Sequence, residues 1–514
     1  MKKKNKMIYR SFIITSFIAI NALILFGISQ TLSFLSTGAD RSMMLHIGVK
    51  NKQAYIPKVE WKDTINPARP IEKQTMYDIQ KDYVNSWYVR NVGYATYDSL
   101  GIFDFYTESA RKNLVDGIHF NKTNDVQIVS TTLDHHLALD FYSADGQLVV
   151  FEDQNVRSYT QSFKENNLQY ETTSVASYKI AMLLEDGFWR VRHIVKQPNI
   201  TVIDTNTQKE SPYIRGNQII VDNTPYQIKG INYYPQDTPW NMFGEEFDID
   251  IIQKDFKIIK DAGLNTIRIF VPYEDFGKEY VLADKLIKLK EVMDLAEKNS
   301  LKVVLTLFDF YGNYDINDWT FTHRHAEQIV SSIKEHPALL MWDIKNEPNL
   351  DFESRTKETV LAWLKEMIHQ IRTIDTEHPI TIGWSSIETA DILSEDVDIV
   401  SFHYYKDLTQ FQDIFKTISS LEKPLVLQEF GLSSDKGLWA PFGNNEEDQA
   451  AYHEAFLKII QQHELHYLSW TLYDFNKIPT DVVGRLPWRK NAQKHFGFID
   501  ADGNKKDAFQ FISY

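Results

Sequence analysis

Three observations on the 514-residue chain predict an α/β class dominated by a (β/α)8 TIM barrel. From residue 227 onward, short apolar runs that read as strands buried on both faces alternate with helical patterns. Eight such runs fall within about 290 residues, the count and size of a closed barrel. Two of the runs end abruptly in a carboxylate: Leu339–Asn346 meets Glu347 and Pro348, and Pro424–Gln428 meets Glu429. The carboxyl end of a buried parallel strand is where α/β enzymes keep their chemistry. A smaller α+β unit and an N-terminal transmembrane helix are predicted to precede the barrel.

At the N-terminus, Lys2, Lys3, Lys4, Lys6 and Arg10 precede an uncharged run from Phe12 to Ile28. That length is near the lower limit for a spanning helix. Basic residues before an apolar segment hold that end in the cytoplasm, so the chain beyond the segment is exported. Thr37-Gly38-Ala39 is the best cleavage site and lies far downstream. Residues 1–37 therefore read as a basic tail and an uncleaved signal-anchor, in preference to a cleaved signal peptide. The body is then extracytoplasmic, at the cell surface or in the periplasm. Residues 38–70, polar with Pro57, Pro67 and Pro70, read as a linker.

Residues 71–200 change character midway. Helical spacing covers Met76–Val92 and Tyr97–Leu114; strands come next at Asp125–Thr131, His135–Tyr142, Leu148–Thr160, Ser174–Glu185 and Phe188–Val195. Asp145-Gly146 and Asp186-Gly187 are hairpin signals. Helices followed by a long antiparallel sheet, closing on Asp186-Gly-Phe-Trp-Arg-Val-Arg-His-Ile-Val195, resemble the NTF2-like α+β domain. The unit reads as a docking or spacer module, and His135, His136 and Asp140 as solvated strand residues.

Residues 211–514 form the predicted barrel domain. Tyr213–Tyr226 reads as a hairpin. Strands are expected at Gln227–Asn232, Thr266–Phe270, Lys302–Asp309, Leu339–Asn346, Ile380–Trp384, Ile399–Tyr404, Pro424–Phe430 and Tyr467–Leu472. Helices fall between them, among them Asp250–Ala262, Lys285–Lys298, Glu353–Asp375 and Glu446–His463. A doubly wound open sheet is the alternative, weakened because no glycine-rich phosphate loop follows any strand.

Composition narrows the function. A formal net charge of −15 disfavours nucleic acid as a partner. The absence of cysteine removes disulfides, Cys-ligated zinc, iron–sulfur clusters and thiol nucleophiles. No metal constellation or cofactor motif is evident. Glu347 would end strand four and Glu429 strand seven, both at the barrel mouth. Two facing carboxylates are what glycoside cleavage requires: a protonated acid for the leaving oxygen and an ionised nucleophile for the anomeric carbon. The two strands can set them at the short separation, roughly 5–5.5 Å, that retention of configuration demands.

The motifs that carry a family resemblance are Tyr226-Gln-Ile-Lys-Gly-Ile-Asn232, Gly263-Leu-Asn-Thr-Ile-Arg268, His336-Pro-Ala-Leu-Leu-Met-Trp-Asp-Ile-Lys-Asn-Glu-Pro348, Ser401-Phe-His-Tyr-Tyr405 and Pro424-Leu-Val-Leu-Gln-Glu-Phe-Gly431. The close, Phe496-Gly-Phe-Ile-Asp500 with Gly503-Asn-Lys-Lys-Asp-Ala-Phe509, agrees with them. With these, residues 211–514 resemble the clan A (4/7) retaining glycoside hydrolases, most of all family 5, with similarity to the family 2 catalytic domain. The resemblance implies Glu347 as acid/base and Glu429 as nucleophile. It implies that Asn346 bonds the sugar 2-hydroxyl and that Arg268 keeps Glu429 ionised. Tyr405 would bond Glu429, His403 would sit beside the acid/base, and Trp470 would floor the reactive sugar. Family 5 usually has a His at the end of strand three, where this chain has Asp309. Asp309 is expected to take over a sugar contact, or His323 or His325 to reach in from the next loop. Trp240, Trp319, Trp384, Trp439 and Trp488 are expected in βα loops, stacking on sugar rings.

The expectation is a membrane-anchored retaining β-glycosidase acting on a β-linked polysaccharide or oligosaccharide, with no cofactor and no metal. A transglycosylase using the same carboxylates is one alternative. An inactive carbohydrate-binding protein that assists export is the other. A tethered barrel would suit trimming a polymer as it leaves a membrane glycosyltransferase partner, an expectation that no residue carries.

Overall fold

The computed structural model describes residues 55–62, 70–197, 212–438 and 440–513, together with scattered positions between 15 and 28. The expected signal-anchor, residues 1–37, lies largely outside the described residues. Among the described residues no helix is long and apolar enough to cross a membrane.

The first unit is α+β. It comprises β1 (Lys58–Trp61), α1 (Lys73–Thr96), α2 (Ile102–Phe105), α3 (Glu108–Thr123), β2 (Val126–Tyr142), β3 (Leu148–Lys164), β4 (Asn167–Glu185) and β5 (Phe188–Lys196). The five strands form one sheet in sequence order. β1 runs parallel to β2 and the other pairs are antiparallel. α1 lays Ile79, Tyr83 and Trp87, one helical turn apart, against Leu137, Phe151 and Ile180 of the sheet. Asp186 (φ 52°) and Gly187 (φ 83°) supply the two left-handed residues of the β4–β5 turn.

Four expectations need correction here. Residues 58–61 are not linker but the edge strand β1, ordered by parallel pairing from Lys58↔Asp134 to Trp61↔Leu137. The helix expected over 97–114 is broken, because Tyr97 turns left-handed (φ 62°) and Tyr106 is extended. The two strands expected over 125–142 are one, since bulges around Asp134 absorb the irregularity while the ladder continues. His135 is fully buried rather than solvated. Its Nδ1 lies 2.5 Å from Asp153 Oδ2, and Tyr83 also donates to that oxygen at 2.7 Å. His136 is half-buried and Asp140 exposed.

A small antiparallel sheet comes next: β6 (Tyr213–Arg215), β7 (Gln218–Val221) and β8 (Thr224–Pro225). Ile219 and Val221 pack with Val304, Met341, Val426 and Leu468, apolar residues of the barrel strands.

The barrel strands are β9 (Lys229–Asn232), β10 (Thr266–Pro272), β11 (Lys302–Asp309), β12 (Leu339–Asn346), β13 (Ile380–Trp384), β14 (Val400–Tyr404), β15 (Leu425–Phe430) and β16 (His466–Ser469). They are parallel and close on themselves, with β16 paired to β9. The intervening helices are α4 (Ile249–Asp261), α5 (Ala283–Lys298), α6 (Trp319–Ile333), α7 (Phe352–Arg355), α8 (Lys357–Ile374), α9 (Phe411–Phe415) and α10 (Glu446–His463). α11 (Thr480–Val483) and α12 (Pro487–Lys494) lie beyond β16 in the chain. Local chemistry sets several starts. Asp248 accepts from the Asp250 and Ile251 amides at the head of α4, and Asn445 with Asp448 forms a capping box on α10. The single helix expected over 353–375 is split at Thr356 (φ 65°), whose hydroxyl then caps α8.

The α+β unit docks on α6 and α8. Tyr159 packs on Trp319 with ring centroids 4.4 Å apart and the planes tilted by 31°, and Arg157 pairs with Glu366. Arg324 donates to the carbonyls of Ile56 (3.3 Å) and Pro57 (2.7 Å), fastening the approach to β1 onto the barrel.

Candidate active site

The site is built around Arg268, fully buried on β10. Its Nε donates to Thr306 Oγ1 and Asp343 Oδ2, each at 3.0 Å. Nη1 donates to Asn232 Oδ1 (3.1 Å) and Glu429 Oε1 (2.6 Å), and Nη2 to Asp343 Oδ2 (2.7 Å) and Asn346 Oδ1 (2.8 Å). Every N–H of the guanidinium has an acceptor. Burial alone would lower its pKa, yet Asp343 and Glu429 hold it above the ordinary value.

Backbone irregularity brings these partners together. Side chains alternate across a strand, so residues three apart should face opposite ways. The β12–β13 pairing shifts register between Asp343 and Asn346, and both therefore reach Arg268. Glu347 comes next, in the left-handed region (φ 48°, ψ 49°), and its amide donates to Gly383 O at 2.7 Å. A second register shift, between Phe402 and His403, lies on the β14–β15 pair.

His403 is fully buried, with Nδ1 2.9 Å from Glu347 Oε1 and 3.5 Å from Glu429 Oε2. Tyr405 donates to Glu429 Oε2 at 3.0 Å. Tyr405 is 43% exposed as a whole residue, but its hydroxyl end reaches into the site to Glu429. Burial there, with the Glu429 and Glu347 charges, pushes its pKa well up. Glu347, His403 and Glu429 present polar atoms within 4.8 Å of one another. A cation could share that spacing, but the guanidinium against Glu429 already supplies positive charge, and the trio reads as an acid–base cluster.

Trp470 lies just past β16 and packs edge-on against Tyr234 and Phe270 and beside Trp240. Asp309, at the end of β11, is buried and accepts from Tyr234 Oη at 3.4 Å. His323 and His325 do not reach in from a loop. Both are buried on α6, His323 against Glu366 (2.9 Å) and His325 bonded to Lys278 O (2.8 Å). Of the loop tryptophans, Trp319 and Trp384 are core residues, fully buried against Tyr159 and beside Phe352. Trp240 is half-buried, Trp488 on α12 is 43% exposed, and Trp439 lies outside the described residues.

Sequence reasoning missed Asp343, Thr306, Asn232 and Tyr234. Tyr234 had a signal, since Tyr233-Tyr234 directly succeeds the first strand. Asp343 had none, because alternation places it opposite Asn346.

Two strand-end carboxylates in one barrel mouth, bridged by a histidine and backed by a buried arginine, define a glycoside hydrolase. The family model for cellulase (glycosyl hydrolase family 5) matches residues 220–476, half of the chain, and the chain belongs to that family. Among curated relatives, the β-glucuronidase of Chlorocebus aethiops is 26% identical over 298 residues, covering 52% of this chain and 42% of the relative. That of Homo sapiens is 26% identical over 301 residues, covering 52% and 41%. The match thus spans less than half the length of these relatives. Among solved structures, the exo-β-1,4-mannosidase Op5Man5 from Opitutaceae bacterium strain TAV5 superposes with a TM-score of 0.47 at 19% identity, covering 60% of this chain and 61% of that one.

Proposed function

We propose that the protein is a retaining β-glycosidase that cleaves a β-linked polysaccharide or oligosaccharide by double displacement. The observation that carries this reading is the approach of Glu347 and Glu429 to within 4.8 Å through their carboxylate oxygens. Retaining enzymes need the short separation; inverting enzymes leave room for a water between the two groups.

In the first step a Glu429 oxygen forms a bond to the anomeric carbon as the bond to the leaving oxygen breaks. Glu347 delivers its proton to that oxygen. In the second step Glu347 takes a proton from water, the water oxygen bonds to the anomeric carbon, and Glu429 leaves as a carboxylate. Arg268 and Tyr405 both donate to Glu429, an arrangement suited to a group that works as an anion. His403, bonded to Glu347 at 2.9 Å, orients the acid/base. Arg268 holds Asn346 Oδ1, which fixes the amide so that its NH2 is offered to the sugar 2-hydroxyl. Trp470 with Trp240 and Tyr234 supplies the apolar floor, and Asp309 a further hydroxyl contact.

The same reading places the barrel outside the cytoplasm on an N-terminal anchor. Basic residues precede the apolar run, and its described positions are helical with Phe17, Leu23, Leu25 and Phe26 exposed. An NTF2-like unit would serve as a rigid spacer. Failure of native pull-down to recover a membrane glycosyltransferase would remove that partner from the account.

The test is sugar release from a panel of β-glucans, β-mannans, β-galactans and β-glucuronides, with Glu347→Gln and Glu429→Gln alongside. Turnover of one class, lost in both variants, supports the hydrolase. Longer products in place of shorter ones would favour transglycosylation. Binding without turnover in all three proteins would leave a sugar-binding protein.

A further inference from the structure

Asp343 has no role in the chemistry above, yet four hydrogen bonds converge on its carboxylate, two of them from Arg268. It is fully buried. Oδ2 accepts from Arg268 Nε (3.0 Å), Arg268 Nη2 (2.7 Å) and Thr306 Oγ1 (2.7 Å). Oδ1 accepts from the Gly383 amide at 3.0 Å. The guanidinium therefore lies between two carboxylates, Asp343 in the barrel interior and Glu429 towards the mouth.

Electrostatics gives this sandwich a consequence. A buried arginine facing one carboxylate forms a closed neutral pair, in which the anion is strongly stabilised. A nucleophile stabilised that way loses reactivity. A second carboxylate on the other side of the cation divides its charge and leaves net negative charge on the cluster. We propose that Asp343 is a positioning residue for the reaction, holding the Arg268 fork and drawing off enough of its charge that Glu429 stays a reactive nucleophile. This rests on the reading of Glu429 as the nucleophile. A residue that merely filled the interior would affect folding and leave the titration of Glu429 alone.

The other titratable groups around Glu429 come from several elements of the barrel mouth. His403 and Tyr405 come from β14 and its end, and Glu347 from the end of β12. Tyr234, after β9, faces it with Asp309 of β11 behind.

The experiment is a carboxyl 13C NMR titration of the full chain labelled at glutamate Cδ, with the Glu429 signal assigned by its loss in Glu429→Gln. In Asp343→Asn, Arg268 is left to Glu429, and the Glu429 midpoint should fall by about one pH unit. On whichever aryl β-glycoside the parent hydrolyses, kcat should fall at least tenfold with little change in KM. Thr306→Val tests the opposite sign with the charge retained. With one acceptor and one donor gone, Arg268 and Asp343 pair more closely, and the Glu429 midpoint should rise. An unchanged or raised midpoint in folded Asp343→Asn would overturn the proposal. If that variant does not fold, an unchanged or lowered midpoint in Thr306→Val does so. Full turnover by Glu429→Gln would instead overturn the nucleophile assignment, an outcome distinct from either titration result.

Discussion

Arg268 Nη1 donates to Glu429 Oε1 at 2.6 Å from a guanidinium that has no contact with solvent. One cation thus ties the end of β15 to β9, β11 and β12 through Asn232, Thr306, Asp343 and Asn346. A lysine there could meet some of these acceptors but not all, because its ammonium has three donors and no fork. Arg268→Lys should lower kcat about a hundredfold and destabilise the fold by about 3 kcal/mol, the lower end for breaking a buried pair. Steady-state kinetics and denaturant unfolding check the two effects separately.

Gly383 is the spacer that lets the site close. A Cβ added there would lie 2.5 Å from Gln428 Oε1, 3.0 Å from Arg268 Nη2 and 3.3 Å from His403 Nε2. Its backbone also receives Glu347 through the 2.7 Å amide bond. Gly383→Ala should therefore cost activity by about a hundredfold with a stability loss of only about 1–3 kcal/mol, the range for overpacking. A variant with parent-like kcat/KM would contradict this account of the interior.

The two units are held by a buried charge. Arg157 pairs with Glu366, whose other partner is His323 at 2.9 Å. Burial, then the nearby Arg157, pushes His323 well below its usual pKa, so it is neutral near pH 7 and cannot replace the arginine. Arg157→Ala should destabilise by about 3–5 kcal/mol because Glu366 loses its charged partner and keeps just a neutral imidazole, whereas Arg157→Met with Glu366→Met should recover most of the loss. Thermal melts of the single and double variants decide it.

Stability should fall in mild acid. His325 is lowered to about 4 by burial, and His453 to about 3 by burial with Lys506 adding to it. Below the unfolded value of 6.5 the unfolded chain takes up protons that these buried imidazoles refuse. Their stabilisation is therefore complete above pH 6.5 and drains away as pH falls towards 4 and 3. Asp375, lowered to about 2 with His378 beside it, acts in the same direction below pH 4. Asp255 and Asp318, raised to about 6 by burial, oppose the trend between pH 6 and 4. The melting temperature of the parent should drop between pH 6.5 and 4, and His453→Gln should flatten the drop.

The barrel was legible because its strands are apolar runs that stop at polar residues, and that pattern survives folding unchanged. Glu347 and Glu429 were legible for the same reason. The features that escaped depend on contacts between residues far apart in sequence. Nothing near Lys58 announces a strand, since β1 exists only through its pairing with β2. His135 reads as a surface histidine until Asp153, eighteen residues away on β3, covers its Nδ1. Asp343 reads as facing away from Asn346 until the β12 register shift turns both to Arg268. Trp319 reads as a loop aromatic until Tyr159 of the first unit closes over it.

Double displacement by Glu429 and Glu347 dictates which anomer leaves the enzyme first. The most direct measurement is 1H NMR of the reducing sugar as it is first released from an aryl β-glycoside substrate, before mutarotation. Two successive inversions at the anomeric carbon should release the β-anomer, with no release by Glu429→Gln. First release of the α-anomer would mean a single inverting displacement and would contradict double displacement.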